Sequence, residues 1–134
     1  MFIEPINTTK DSLELVGGKG RSLARMTNAG FDVPGGFLVT ADTYRAFIAE
    51  NDLQSQILES ASPELRDGYP VFDACAEKIR ALIMSRSIGD AMSADIKAAY
   101  SNLDQEQISV AVRSSANAED LPDFSFAGQQ ETFL

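Results

Sequence analysis

The sequence predicts an α+β fold, a layer of helices against a small sheet. Short β-branched and apolar runs recur at Met1 to Ile6, at Phe37-Leu38-Val39 and at Ile108 to Val112. Between them, apolar residues repeat at helical spacing, as in Tyr44, Phe47 and Ile48 and again in Cys75, Ile79, Leu82 and Ile83. Glycine and proline clusters mark the boundaries.

In chain order, Phe2, Ile3 and Ile6 form a short opening strand, followed by a polar turn from Asn7 to Asp11. Ser12 to Val16 leads into the glycine turn Gly17-Gly18-Lys19-Gly20. A helix from about Lys19 places Leu23 and Met26 on one face, with Gly30 as its C-terminal stop. Phe31 to Pro34 connects to Gly35-Gly36, a turn before the buried-type strand Phe37-Leu38-Val39. Thr40 can cap a helix from Ala41 to about Glu50, and Asn51-Asp52 breaks it. Leu53, Ile57 and Leu58 suggest a short helix to about Glu59, and Ser60 to Pro70, with two prolines and a glycine, reads as a surface loop. Val71, Phe72, Cys75, Ile79, Leu82 and Ile83 define an amphipathic helix ending near Ser85 to Ser87. Another runs from about Gly89 to Tyr100 with Met92, Ile96 and Ala99 inward. Polar Asn102 to Gln107 turns into the strand at Ile108, and a further strand is expected at Gln129.

A chain of 134 residues suffices for one domain with its own core. With 44% hydrophobic and 23% charged residues, its composition is that of an ordinary globular protein. The net charge of −9 argues against a general surface for nucleic acid or anionic membrane. A cleft that focuses a few cations could still hold a nucleotide. The single cysteine, Cys75, excludes an internal disulfide and reads as core filler. No apolar run is long enough to span a bilayer and no signal-peptide pattern is present, so the expected location is cytoplasmic. With no histidine, the chain can carry neither a phosphohistidine nor a histidine base or metal ligand. Leu134 falls within what reads as a strand, so the chain is expected to be a fragment of a longer protein.

Two stretches point to anion chemistry. Val110-Ala111-Val112-Arg113-Ser114-Ser115-Ala116 reads as a buried strand that delivers a guanidinium to its end. Arginine presents a fixed fork of donors that matches phosphate oxygens, and hydroxyls and bare amides supply the remaining contacts. The alternative is an edge strand whose Arg113 pairs with Glu119, Asp120 or Asp123. The second stretch, Gly17-Gly18-Lys19-Gly20, stands before a helical pattern, where exposed amides favour phosphate and Lys19 adds a mobile charge. It lacks the spacing and the Ser/Thr after Lys of a Walker motif.

Together these stretches resemble the nucleotide-binding domain of the phosphoenolpyruvate synthase and pyruvate phosphate dikinase family, which rifampicin phosphotransferases share. The residues that carry the likeness are Val16-Gly17-Gly18-Lys19-Gly20 with Ser22-Leu23, and Val33-Pro34-Gly35-Gly36-Phe37 with Thr40. The longest blocks are Val112 to Ala116, Ala118 to Asp123 and Ser125 to Leu134. Asn117 and Phe124 depart from the family pattern, where Thr and a small residue are usual.

The resemblance implies an ATP-grasp fold, with residues 1–134 as its first lobe: a small mixed sheet with four or five packed helices. It also implies that Lys19, Arg113, Gly128 and Thr132 contact ATP, Lys19 and Arg113 serving catalysis as well. Ser114 and Ser115 are expected to organise the turn, and Glu119, Asp120 and Asp123 to fix a loop. No metal ligand is assigned here: the carboxylates for Mg²⁺ are expected in a second lobe outside this chain, and Glu131 is a further candidate contact to ligand or metal.

The implied reaction moves a phosphoryl group from ATP to a histidine on a separate domain, then to pyruvate, to water or to a rifampicin-type hydroxyl. An isolated lobe should bind ATP weakly or not at all and should not turn over. A competing expectation is a non-catalytic nucleotide-binding or regulatory module that keeps the fold and binds a partner. The edge from Gln129 to Leu134 is also expected to promote self-association.

Overall fold

The structure, a computed structural model, describes residues 2–103, 109–117 and 132–133. They form a mixed α/β protein in which five helices accompany three antiparallel strand pairs. The chain divides into two compact units, Met1–Thr43 with Ala91–Leu134, and Tyr44–Asp90.

In the first unit, β1 (Ile3–Pro5) pairs antiparallel with β2 (Phe37–Val39), Ile3 opposite Val39 and Pro5 opposite Phe37. Buried Thr40 and Thr43 tie the end of this ladder down. Their hydroxyls donate to the Phe2 carbonyl at 3.2 and 2.6 Å. Between the strands runs α1 (Leu13–Asn28). It starts before the predicted Lys19 because the Leu13 to Val16 turn is already helical, and the two stretches join across a kink at Gly17. Its buried stripe is Val16, Gly20 and Ala24, four residues apart, rather than Leu23 and Met26. A β-carbon at Gly20 would stand 3.1 Å from the Val16 side chain and 3.5 Å from that of Leu38, so small residues let α1 lie close to β2. The predicted stop is present. Gly30 has φ 85°, its N–H donates to the Thr27 carbonyl (3.0 Å), and the Phe31 N–H donates to the Met26 carbonyl (3.1 Å). Those paired bonds satisfy the last carbonyls of a helix that ends in a left-handed residue.

Glu4 is a buried carboxylate in β1. It accepts the Thr8 hydroxyl at 2.9 Å and the Lys10 ammonium at 3.0 Å. The Lys10 bond, helped by Thr8, holds its carboxyl below the ordinary value of 4.5 against the opposing effect of burial. A carboxylate depressed in the folded state stabilises it above the unfolded pKa and loses that contribution as pH falls through the folded one. Thermal stability is therefore expected to decline below about pH 4.5. Asp11, held low by Arg25, contributes to the same decline. A Glu4→Gln variant should lose stability at neutral pH but show a shallower acid limb in melts between pH 7 and 3. A limb of unchanged slope would remove Glu4 from this role.

In the second unit, residues 44–50 complete α2 (Ala41–Glu50), and α3 (Gln54–Ser60) follows. Asp52 ends α2 at φ 51°, with its N–H on the Ala49 carbonyl (3.2 Å) and the Leu53 N–H on that of Ile48 (3.0 Å). Ile48 and Leu53 are both buried, the apolar pairing that accompanies such a helix end. A left-handed conformation costs an L-residue energy that glycine is spared. Asp52→Gly is thus expected to stabilise the protein by about 0.5 kcal/mol, read as a higher denaturation midpoint.

The stretch predicted as a loop is instead a hairpin. β3 (Glu64–Arg66) pairs with β4 (Tyr69–Val71) around Asp67 and Gly68, at φ 52° and 83°. Positive φ at both central residues is what a tight type I′ turn requires.

Next comes α4 (Asp73–Met84), whose predicted core face is not buried. Cys75, Ile79, Leu82 and Ile83 are half-buried, and Phe72 and Met84 are 56% and 78% exposed. Among the described residues α3 is the main helix packed on α4, and its seven residues cover only part of that stripe. Cys75 is accordingly not full core; its thiol approaches the Phe72 carbonyl at 3.0 Å.

Back in the first unit, α5 (Asp90–Ser101) continues from Ala91 and buries Met92, as its spacing predicted. The last ladder pairs β5 (Val112–Arg113) with β6 (Thr132–Phe133). In place of one small sheet, the described strands thus form three separate pairs, each only two or three residues long. The strand before Arg113 is not buried either. Val110 and Val112 are 38% and 61% exposed, because β6 is the only strand laddered to it among the described residues.

Candidate functional site

The glycine turn and the serine pair meet. Gly17 sits at φ 70° and ψ 178°, a region essentially reserved for glycine. That kink turns the chain so that helix resumes at Gly18 with the start of the new stretch facing Ser115 and Ala116. The Gly18 N–H donates to the Ala116 carbonyl at 3.0 Å. The Gly20 N–H donates to the Ser115 hydroxyl at 3.0 Å, and that hydroxyl donates to the Val16 carbonyl at 2.7 Å. Asn117 adds a longer bond, 3.4 Å, to the Glu14 carbonyl. A side chain at position 17 has no room, since its β-carbon would collide with the carbonyl and hydroxyl of Ser115.

This arrangement changes the reading of the turn. The amides of Gly18 and Gly20 were expected to face an anion. They are instead satisfied by the chain's own Ala116 and Ser115. The glycines make the close approach of two segments possible, and Ser115 organises the turn. A periodicity scan could not find Ala116 or Ser115 as partners of the turn, because 95 residues separate Gly20 from Ser115.

Lys19 lies between the two bonded amides, half-buried, and Arg113 stands two residues before Ser115 with its side chain exposed. Thus the segments bearing the two predicted cations are joined by hydrogen bonds. Arg113 forms no ion pair among the described residues. Thr132 is its cross-strand partner in the β5–β6 ladder. Gly128 and Glu131 lie outside the described residues, as do Glu119, Asp120 and Asp123. Among the described residues no group of three or more His, Cys, Asp or Glu is placed to hold a metal ion, and no helix is long and apolar enough to cross a membrane.

Residues 13–134 match the family described as pyruvate phosphate dikinase, AMP/ATP-binding domain. The chain belongs to that family. Curated relatives agree with the assignment. A probable phosphoenolpyruvate synthase of Methanocaldococcus jannaschii is 44% identical over 91% of this chain and 11% of its own length. The phosphoenolpyruvate synthase of Neisseria meningitidis is 43% identical over 96% of the chain and 17% of its length. That of Pyrococcus furiosus is 39% identical over 94% and 20%. The chain therefore spans between 11% and 20% of the length of these relatives. Within this AMP/ATP-binding domain family, the Gly17 turn docked on Ser115 is the assembled feature that ties the two sequence stretches together.

Proposed function

We propose that this domain is the first lobe of an ATP-grasp unit, and that Lys19 and Arg113 hold the phosphates of ATP. The chain would serve a phosphotransferase that passes a phosphoryl group from ATP to a histidine on another domain, and then to pyruvate or a similar acceptor. The observation that carries the reading is the docking of the Gly17–Gly20 turn on Ser115 and Ala116, which brings the two cation-bearing segments together.

Phosphoryl transfer asks a protein chiefly to position phosphates and neutralise developing charge. Arg113 suits a bidentate hold on phosphate oxygens and Lys19 a movable point charge. Gly128 would let backbone approach the phosphates, and the Thr132 hydroxyl would add a contact. Mg²⁺ would offset phosphate charge, with its carboxylates supplied from outside this chain. The acceptor histidine must also lie elsewhere, since this chain has none.

The test is an ATP titration of the ¹⁵N-labelled 134-residue chain. Weak, saturable shifts centred on residues 17–20 and 112–116, without turnover, are the expected result. Shifts scattered over the surface, with none centred on residues 17–20 and 112–116, would end the proposal.

A further inference from the structure

We propose that Ser115 is a positioning residue: its hydroxyl caps the second stretch of α1 from the far end of the chain and so fixes Lys19 relative to Arg113. The proposal rests on reading those two cations as phosphate ligands. The first amides of a helix have no partner within it, and a serine or threonine at the N-cap ordinarily bonds the amide two or three residues on. Here Gly17, the non-helical residue, occupies the cap position, and Gly18, Lys19 and Gly20 follow as the first three helical residues. Gly17 has no side chain to offer, and the space where one would stand is filled by Ser115.

Ser115 Oγ then accepts from the Gly20 N–H (3.0 Å), the bond a local cap would have made. Its own hydrogen goes to the Val16 carbonyl, on the other side of the kink, at 2.7 Å. The Ala116 carbonyl takes the Gly18 N–H. The start of this helix is therefore complete only when residues 115–116 are docked. Lys19 is held between two bonded amides, and Arg113 is two residues upstream of Ser115, which bonds the second of them. A neutral hydroxyl also suits the place better than an aspartate cap, whose charge would repel phosphate beside the two cations.

Hydrogen exchange and ATP titration of S115A and S115T test the idea. The Gly20 amide is expected to exchange roughly five- to tenfold faster in S115A and at the native rate in S115T. Unchanged exchange in S115A overturns the cap, and S115A decides this alone if the extra methyl of S115T is not accommodated. ATP affinity is expected to fall about fivefold in S115A and to recover in S115T. Combined with K19A, S115A should cost less than the product of the two single effects, because each disturbs the same cation. Independent, multiplicative effects overturn the positioning role. If ATP shifts other residues and leaves 17–20 and 112–116 unperturbed, the nucleotide reading and the positioning role fall together. The Gly20 exchange rate still decides the cap.

Discussion

Gly17→Ala is expected to remove roughly 3–5 kcal/mol of stability, a large share of what a domain of this size possesses. Two costs act together. Alanine at φ 70° and ψ 178° is strained by about 1–3 kcal/mol whatever surrounds it. Its β-carbon would also meet the Ser115 carbonyl, a backbone atom that cannot move aside like the end of a flexible side chain. Relief requires the two segments to part, which breaks the bonds of Gly18 to Ala116 and of Ser115 to Gly20 and Val16.

Gly30→Ala is the control. It too has positive φ, 85°, but a β-carbon there meets nothing within 4 Å. Its cost should stop at about 1 kcal/mol, the penalty of the left-handed backbone alone. Denaturant melts of both variants give the comparison. Equal losses would mean that the contact with Ser115 contributes nothing.

Arg113→Ala is expected to weaken ATP binding roughly ten- to hundredfold, about 1.5–3 kcal/mol for charge-assisted bonds to phosphate. It should leave the melting transition within about 0.5 kcal/mol of the native one. Both halves follow from its position. The side chain is exposed and has no ion pair among the described residues, so the fold loses little with it. Arg113→Lys keeps the charge and loses the fork, so it should recover only part of the affinity. Raising the salt concentration should weaken native binding more than that of Arg113→Ala, since a cation–phosphate contact is screened. Measurable binding of equal strength in both proteins would take Arg113 out of the phosphate site. A large loss of stability in Arg113→Ala would instead favour the alternative in which it pairs with an acidic residue of the following loop.

What was legible in the sequence was local. The β2 run, the helix from Ala41, the stop at Gly30 and the inward Met92 each depend on a few neighbouring residues. A further local signal lies within residues 60–70. Asp67-Gly68 between Leu65 and Tyr69 is a two-residue hairpin turn, obscured by the prolines at 63 and 70. Periodicity also placed an apolar face on α4 correctly but could not say that α3 would cover so little of it, since burial depends on what another element brings.

The sequence by itself determined that five helices form and that β1 and β2 are strands, that the chain carries no histidine, and which residues bear the likeness to an AMP/ATP-binding domain. Tertiary structure alone decided what the glycine turn is for. Its amides look available to an anion as long as only neighbours are considered. Two of them are taken by residues almost a hundred positions away, because Ser115 fits the space that a missing side chain leaves open and so brings its hydroxyl to Gly20 and the Ala116 carbonyl to Gly18.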